Sequence, residues 1–118
     1  MILHLRARPD ALIACDMSTA LDTPDERLAE YRELFERALL RHERRDHHVV
    51  FFLSDDAREA VDDLARREHA CCPFLDYRVE TAGDEVVWTI TGDGRAGVDE
   101  VLDAFHALPF VDARRGVR

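Results

Sequence analysis

Three cysteines, Cys15, Cys71 and Cys72, carry the distinctive chemistry of this chain. Two of them are adjacent, within Glu68-His69-Ala70-Cys71-Cys72-Pro73-Phe74, and the third opens Cys15-Asp16-Met17. A free cysteine is ordinarily a small buried hydrophobe, so core packing is the plain reading of each one. An adjacent pair at a helix end fits that reading less well. Pro73 restricts Cys72 away from helical geometry and so turns the second thiol relative to the first. Thiolates are preferred ligands of soft ions such as Cu(I), Hg(II) and Zn(II). The run Ala11–Cys15 is too apolar for a surface loop and should pack in the sheet or against the second helix, which puts Cys15 near Cys71 or Cys72, where three sulfurs converge. Three thiols without a fixed fourth ligand suit trigonal Hg(II), As(III) or Cu(I) better than structural zinc. Glu68, Asp16 and His69 are the auxiliary groups of such a site. Glu68 stands on an otherwise apolar helical stripe, where a carboxylate is costly unless paired or at a solvated edge.

Three other readings stay open beside a soft-ion site. In the first, Cys71 or Cys72 is a nucleophile activated by His69 or a neighbouring Arg66 or Arg67, with Glu68 or Asp16 as acid or base. Carbon–metal bond cleavage by two thiols and a carboxylate is one version. In the second, Cys72-Pro73 binds haem, a dipeptide signal of low specificity. In the third, the cysteines are inert parts of a structural or partner-binding domain. A helix C-terminus is the negative end of the dipole and disfavours a thiolate. The C-x-x-C spacings of structural zinc and of thiol redox enzymes are absent.

Other signals are weaker. Gly92-Asp93-Gly94-Arg95-Ala96-Gly97 matches a dinucleotide fingerprint, but it follows a hairpin and only 21 residues remain after it. A glycine turn before a helix is the better reading, and no nucleotide is expected. His47 and His48 are adjacent on a strand and point to opposite faces. His4, His42 and His106 are scattered.

Composition narrows the classes. The chain has 118 residues, 25 acidic and 16 basic, with a formal charge of −9. That balance argues against a nucleic-acid or anionic membrane surface, leaving a small ion or small molecule as ligand, with a homodimer open. All the basic residues are arginine, which excludes Schiff-base chemistry and a P-loop lysine. Asn and Gln are also absent, so no side-chain amide serves an oxyanion hole or a Cys-His-Asn triad.

The elements that must position the cysteines follow from periodicity. Residues 2–7 alternate as a strand, and Ala11–Cys15 reads as a short buried strand. Thr23-Pro24-Asp25-Glu26 starts a helix with a capping box, and the helix is expected to run to about His42. His47–Leu53 is a central strand. Ser54-Asp55-Asp56 precedes a second helix that stops near Cys71. Leu75–Thr81 and Val86–Ile90 form a hairpin around Ala82-Gly83-Asp84, and Val98–Leu108 is a third helix. The order predicts one α+β domain over 1–118, two-layered, with helices on one face of a largely antiparallel sheet and residues 110–118 as a frayed tail.

No apolar run reaches the roughly 20 residues that span a bilayer. Leu12-Ile13-Ala14-Cys15 reads like a lipoprotein box, but His4, Arg6, Arg8 and Asp10 interrupt the apolar stretch such a leader requires. A cytoplasmic chain is expected, and with three cysteines in a reducing compartment a disulfide is not.

Ile13-Ala14-Cys15-Asp16-Met17, Asp22–Leu28 and Arg67–Phe74 together resemble an uncharacterised family of small bacterial proteins. Its marks are a Cys-Asp near the start and a Glu-x-x-Cys-Cys-x-Phe block past the middle. The second block also resembles a segment appended to some MerR-type metal-responsive regulators. The likeness covers roughly residues 12–108. By analogy it implies thiol sensing of a heavy metal or metalloid. The DNA-binding domain of those regulators has no counterpart here.

Overall fold

The computed structural model describes residues 2–8 and 10–110. Its centre is a five-stranded sheet formed by β1 (Ile2–Leu5), β2 (Leu39–Arg45), β3 (His48–Ser54), β4 (Asp76–Ala82) and β5 (Glu85–Thr91). The spatial order is β1-β4-β5-β3-β2, and every neighbouring pair is antiparallel. Alternation decides which face is covered. Val49↔Ile90, Phe51↔Trp88, Tyr77↔Ile90 and Val79↔Trp88 are cross-strand partners on one face, and all six residues are buried.

Three helices lie on that face: α1 (Pro24–Ala38), α2 (Arg58–Cys71) and α3 (Ala96–Ala107). Short 3-10 turns precede α2 (Asp55–Ala57) and follow α3 (Leu108–Phe110). The Thr23 hydroxyl accepts the Glu26 N–H at 3.1 Å, and the Glu26 carboxylate accepts the Thr23 N–H at 2.8 Å, so the expected capping box forms. The helices bury Tyr31, Leu34 and Phe35, then Val61 and Leu64, then Leu102 and Phe105. Tyr31 stacks on Trp88 with centroids 6.1 Å apart, and Phe35 on Phe51 at 5.0 Å. Gly92 is required at the β5–α3 turn, because a Cβ there would collide with Val98 Cγ1. No helix among the described residues is long and apolar enough to cross a membrane.

The α+β class, the hairpin, and the end of α2 at the cysteine pair match expectation. Of the large residues on the apolar stripes and strands, Leu28 and Leu39 are only half-buried, whereas Phe35, Phe51, Val61, Leu64, Tyr77, Val79, Trp88, Ile90, Leu102 and Phe105 are buried. Two expectations are corrected. The first helix stops at Ala38, and Leu39–Arg45 is a strand. Asp46, with φ 43°, and His47 make a tight turn that folds this strand onto β3. It is an edge strand, so its charges are tolerated: Arg41 pairs with Glu85 at 2.8 Å and Arg44 with Asp103 at 3.0 Å. Residues 11–15 are not a buried strand. They form an irregular segment held by local bonds such as Ala14 N–H to Leu12 C=O at 2.9 Å, with Leu12 84% exposed. Of the expected tail, Phe110 ends the last 3-10 turn and residues 111–118 lie outside the described residues.

Candidate cysteine site

The C-terminus of α2 builds the site. The Cys72 N–H donates to the Glu68 carbonyl at 2.6 Å, closing the last turn, and Cys72 then leaves helical geometry at φ −125°, ψ 68°. The buried Tyr77 hydroxyl lies 3.2 Å from the Cys72 carbonyl, which accepts its hydrogen bond. This end of the helix is therefore fixed from the sheet side. From the other side, the chain between β1 and α1 is bonded to the same turn. Arg8 N–H donates to the Pro73 carbonyl at 2.7 Å, and Asp16 N–H to the Cys71 carbonyl at 2.9 Å.

Those bonds deliver Cys15 to Cys72. Their sulfurs are joined as a disulfide, with Cα atoms 4.5 Å apart across 57 residues of sequence. The juxtaposition of Cys15 with the pair is as expected. The absence of a disulfide, expected from an odd cysteine count, is corrected: two cysteines pair and the third stays free. Cys71 keeps its thiol and is buried.

An apolar pocket of about 340 Å³ opens beside the three cysteines. Met17 flanks Cys15 at its wall. Pro24, Leu28 and Tyr31 of α1 form one side, and Val101, Ala104 and Phe105 of α3, with Leu108, form the other. Its volume lies at the lower end of the roughly 300–1,000 Å³ typical of small-molecule sites.

Glu68 also lines this pocket and is 8% exposed. Its partner is Arg27, 4% exposed, whose Nη1 donates to the Glu68 carboxylate. Arg27 also clamps Asp22 through Nε at 2.6 Å and Nη2 at 2.7 Å. Arg67 joins them, donating to Asp22 at 3.2 Å and to Asp63 at 2.6 Å. Burial pushes the Glu68 carboxyl above its usual range, and the Arg27 hydrogen bond pulls against that shift. The Arg27 hydrogen bond holds Asp22 down at about 2. The Tyr31 hydroxyl is buried and faces the Glu68 carboxylate. Burial, then the Glu68 charge, raises its pKa.

The other expected ligands point to different tasks. Asp16 accepts the Ser18 N–H at 2.8 Å, a backbone bond that lowers its pKa. His69 Nε2 donates to the Arg6 carbonyl at 2.9 Å, and its ring stands edge-on to Tyr77 at 5.7 Å. Glu68 is committed to Arg27. Among the described residues, no group of three or more His, Cys, Asp or Glu side chains is arranged to hold a metal ion. Sequence reasoning missed Arg27, Asp22 and Tyr31. Helical periodicity places Arg27 on the face of α1 that carries Glu26, Glu30 and Glu33, opposite the apolar stripe. The isolated Glu68 on the α2 stripe was the available signal that a buried cation had to face it.

Comparison of the chain with protein-family models, curated proteins and solved structures returns no match.

Proposed function

We propose that this is a thiol-site protein that binds a soft metal or metalloid ion through Cys15 and Cys72 in their reduced state. The carrying observation is that these two residues, 57 positions apart, meet at the wall of an apolar pocket, with Cys71 adjacent. Two sulfurs close enough to bond are close enough to share one ion once reduced, since metal–sulfur bonds are near 2.3 Å. With Glu68 held by Arg27, His69 by Arg6 and Asp16 by Ser18, the thiolates are the ligands left to act. A two-thiol site suits Hg(II), Cu(I) or As(III), and suits zinc less, since zinc takes four ligands. The cytoplasmic location expected from the sequence belongs to this reading, because a reducing compartment keeps the pair open and the disulfide is then its oxidised, closed form. The resemblance to the segment of MerR-type regulators supports the same ion class.

A second reading, an enzyme with a cysteine nucleophile, draws on the pocket beside the sulfurs. Titration of the reduced chain with Hg(II) and with arsenite, followed by native mass spectrometry, separates the two. The proposal expects one ion per chain, lost on oxidation and in Cys15→Ser. A bare mass, with one thiol alkylated far faster than the others, supports the nucleophile instead.

A further inference from the structure

The pocket adds a selectivity that two thiols alone lack. We propose that the reduced site takes monosubstituted arsenic(III), an aryl- or alkylarsonous acid, with its organic group in the apolar pocket; this rests on the dithiol reading above. Arsenic(III) has three valences, and Cys15 and Cys72 fill two. No third His, Cys, Asp or Glu among the described residues converges with another two on an ion, and Glu68, the carboxylate that lines the pocket, is held by Arg27. A ligand that brings its own third substituent matches that count. The substituent must be apolar, because Met17, Leu28, Val101, Ala104 and Leu108 line the cavity with carbon. At about 340 Å³ the cavity has room for a phenyl ring.

The step balances without any change at arsenic. R–As(OH)₂ and two cysteine thiols give R–As(S–Cys)₂ and two waters, each thiol proton leaving on a displaced hydroxide. Arsenic remains trivalent. The thiols come from the Cys15–Cys72 disulfide by exchange with two equivalents of a small cellular thiol, which is oxidised to its own disulfide.

The test compares phenylarsine oxide with arsenite on the reduced chain. Dithiothreitol is the competitor, so that the intrinsic difference between the two arsenicals cancels. Burial of a phenyl ring is expected to favour phenylarsine oxide by about 10- to 100-fold over that reference. Two of three thiols should be consumed at one arsenical per chain. Ala104→Trp places a ring in the pocket from an exposed position on α3. It should remove most of the phenyl preference and leave arsenite binding unchanged. Equal preference relative to dithiothreitol, or arsenite binding that consumes all three thiols, overturns the inference while leaving the dithiol site standing. Failure of both arsenicals to consume Cys15 and Cys72 overturns the underlying reading itself.

Discussion

The middle of the sheet and the cysteine pole are held together by different forces. Around Phe51, Trp88 and Ile90 the side chains are fully buried and almost wholly hydrocarbon. That region is stabilised by non-directional burial, in which many contacts share the load. At the pole, Arg27, Glu68, Asp22 and the Cys15–Cys72 bond each depend on one or two named partners. Directional contacts of this kind fail singly and can be rescued singly. A site that must open, close or exchange a ligand belongs in the second kind of region.

Deleting a core ring should have the largest effect. Phe51→Ala is expected to cost about 3–5 kcal/mol in chemical denaturation, with no partner substitution that restores it. Its thiol reactivity should otherwise follow the parent chain. Next comes Arg27→Ala, which strands a buried carboxylate and should cost about 3 kcal/mol. Here rescue is expected: Arg27→Ala/Glu68→Gln should recover much of the loss, because Glu68 no longer needs a cation. A double mutant no more stable than Arg27→Ala would break the contrast between the two regions.

Reduction should rank third. Closing 57 residues of chain constrains the unfolded state, so reduced protein, or Cys15→Ser, is expected to lose about 2–3 kcal/mol by denaturant titration. The smallest effect is on pH dependence. Asp22 has a folded pKa of about 2, below the usual 3.8, so its stabilising contribution is complete above the higher value. It is lost as pH falls through about 2. Asp22→Asn should therefore flatten the acid limb of the stability curve in that window and leave its slope near neutrality unchanged. Glu68 acts with opposite sign, since its raised pKa makes protonation favour the fold as pH falls.

The hydrophobic patterns made β3, β4, β5 and the end of α2 legible, because alternation and Pro73 speak directly to local geometry. They misread β2. Leu40-Arg41-His42-Glu43-Arg44-Arg45 continues the charged face of α1, and an edge strand needs no clean apolar alternation to contradict it. The apolar character of residues 11–15 points to burial, and through it to Cys15 beside the cysteine pair. Residues 12–15 are on the surface, and Cys15 arrives through the backbone bonds of Arg8 and Asp16 instead. Glu68 announced that it needed a partner. Among 16 arginines, only the packing of α1 against the end of α2 selects Arg27.

Protection mapping tests whether Cys15 and Cys72 hold one ligand between them. Reduced protein is mixed with one equivalent of phenylarsine oxide and alkylated with iodoacetamide, and the cysteine peptides are quantified by mass. Cys15 and Cys72 are expected to be protected together, and both to become alkylated once the arsenical is stripped with excess dithiol. Alkylation of Cys15 at its unloaded rate, while the arsenical remains bound to the chain, would rule out the shared dithiol site.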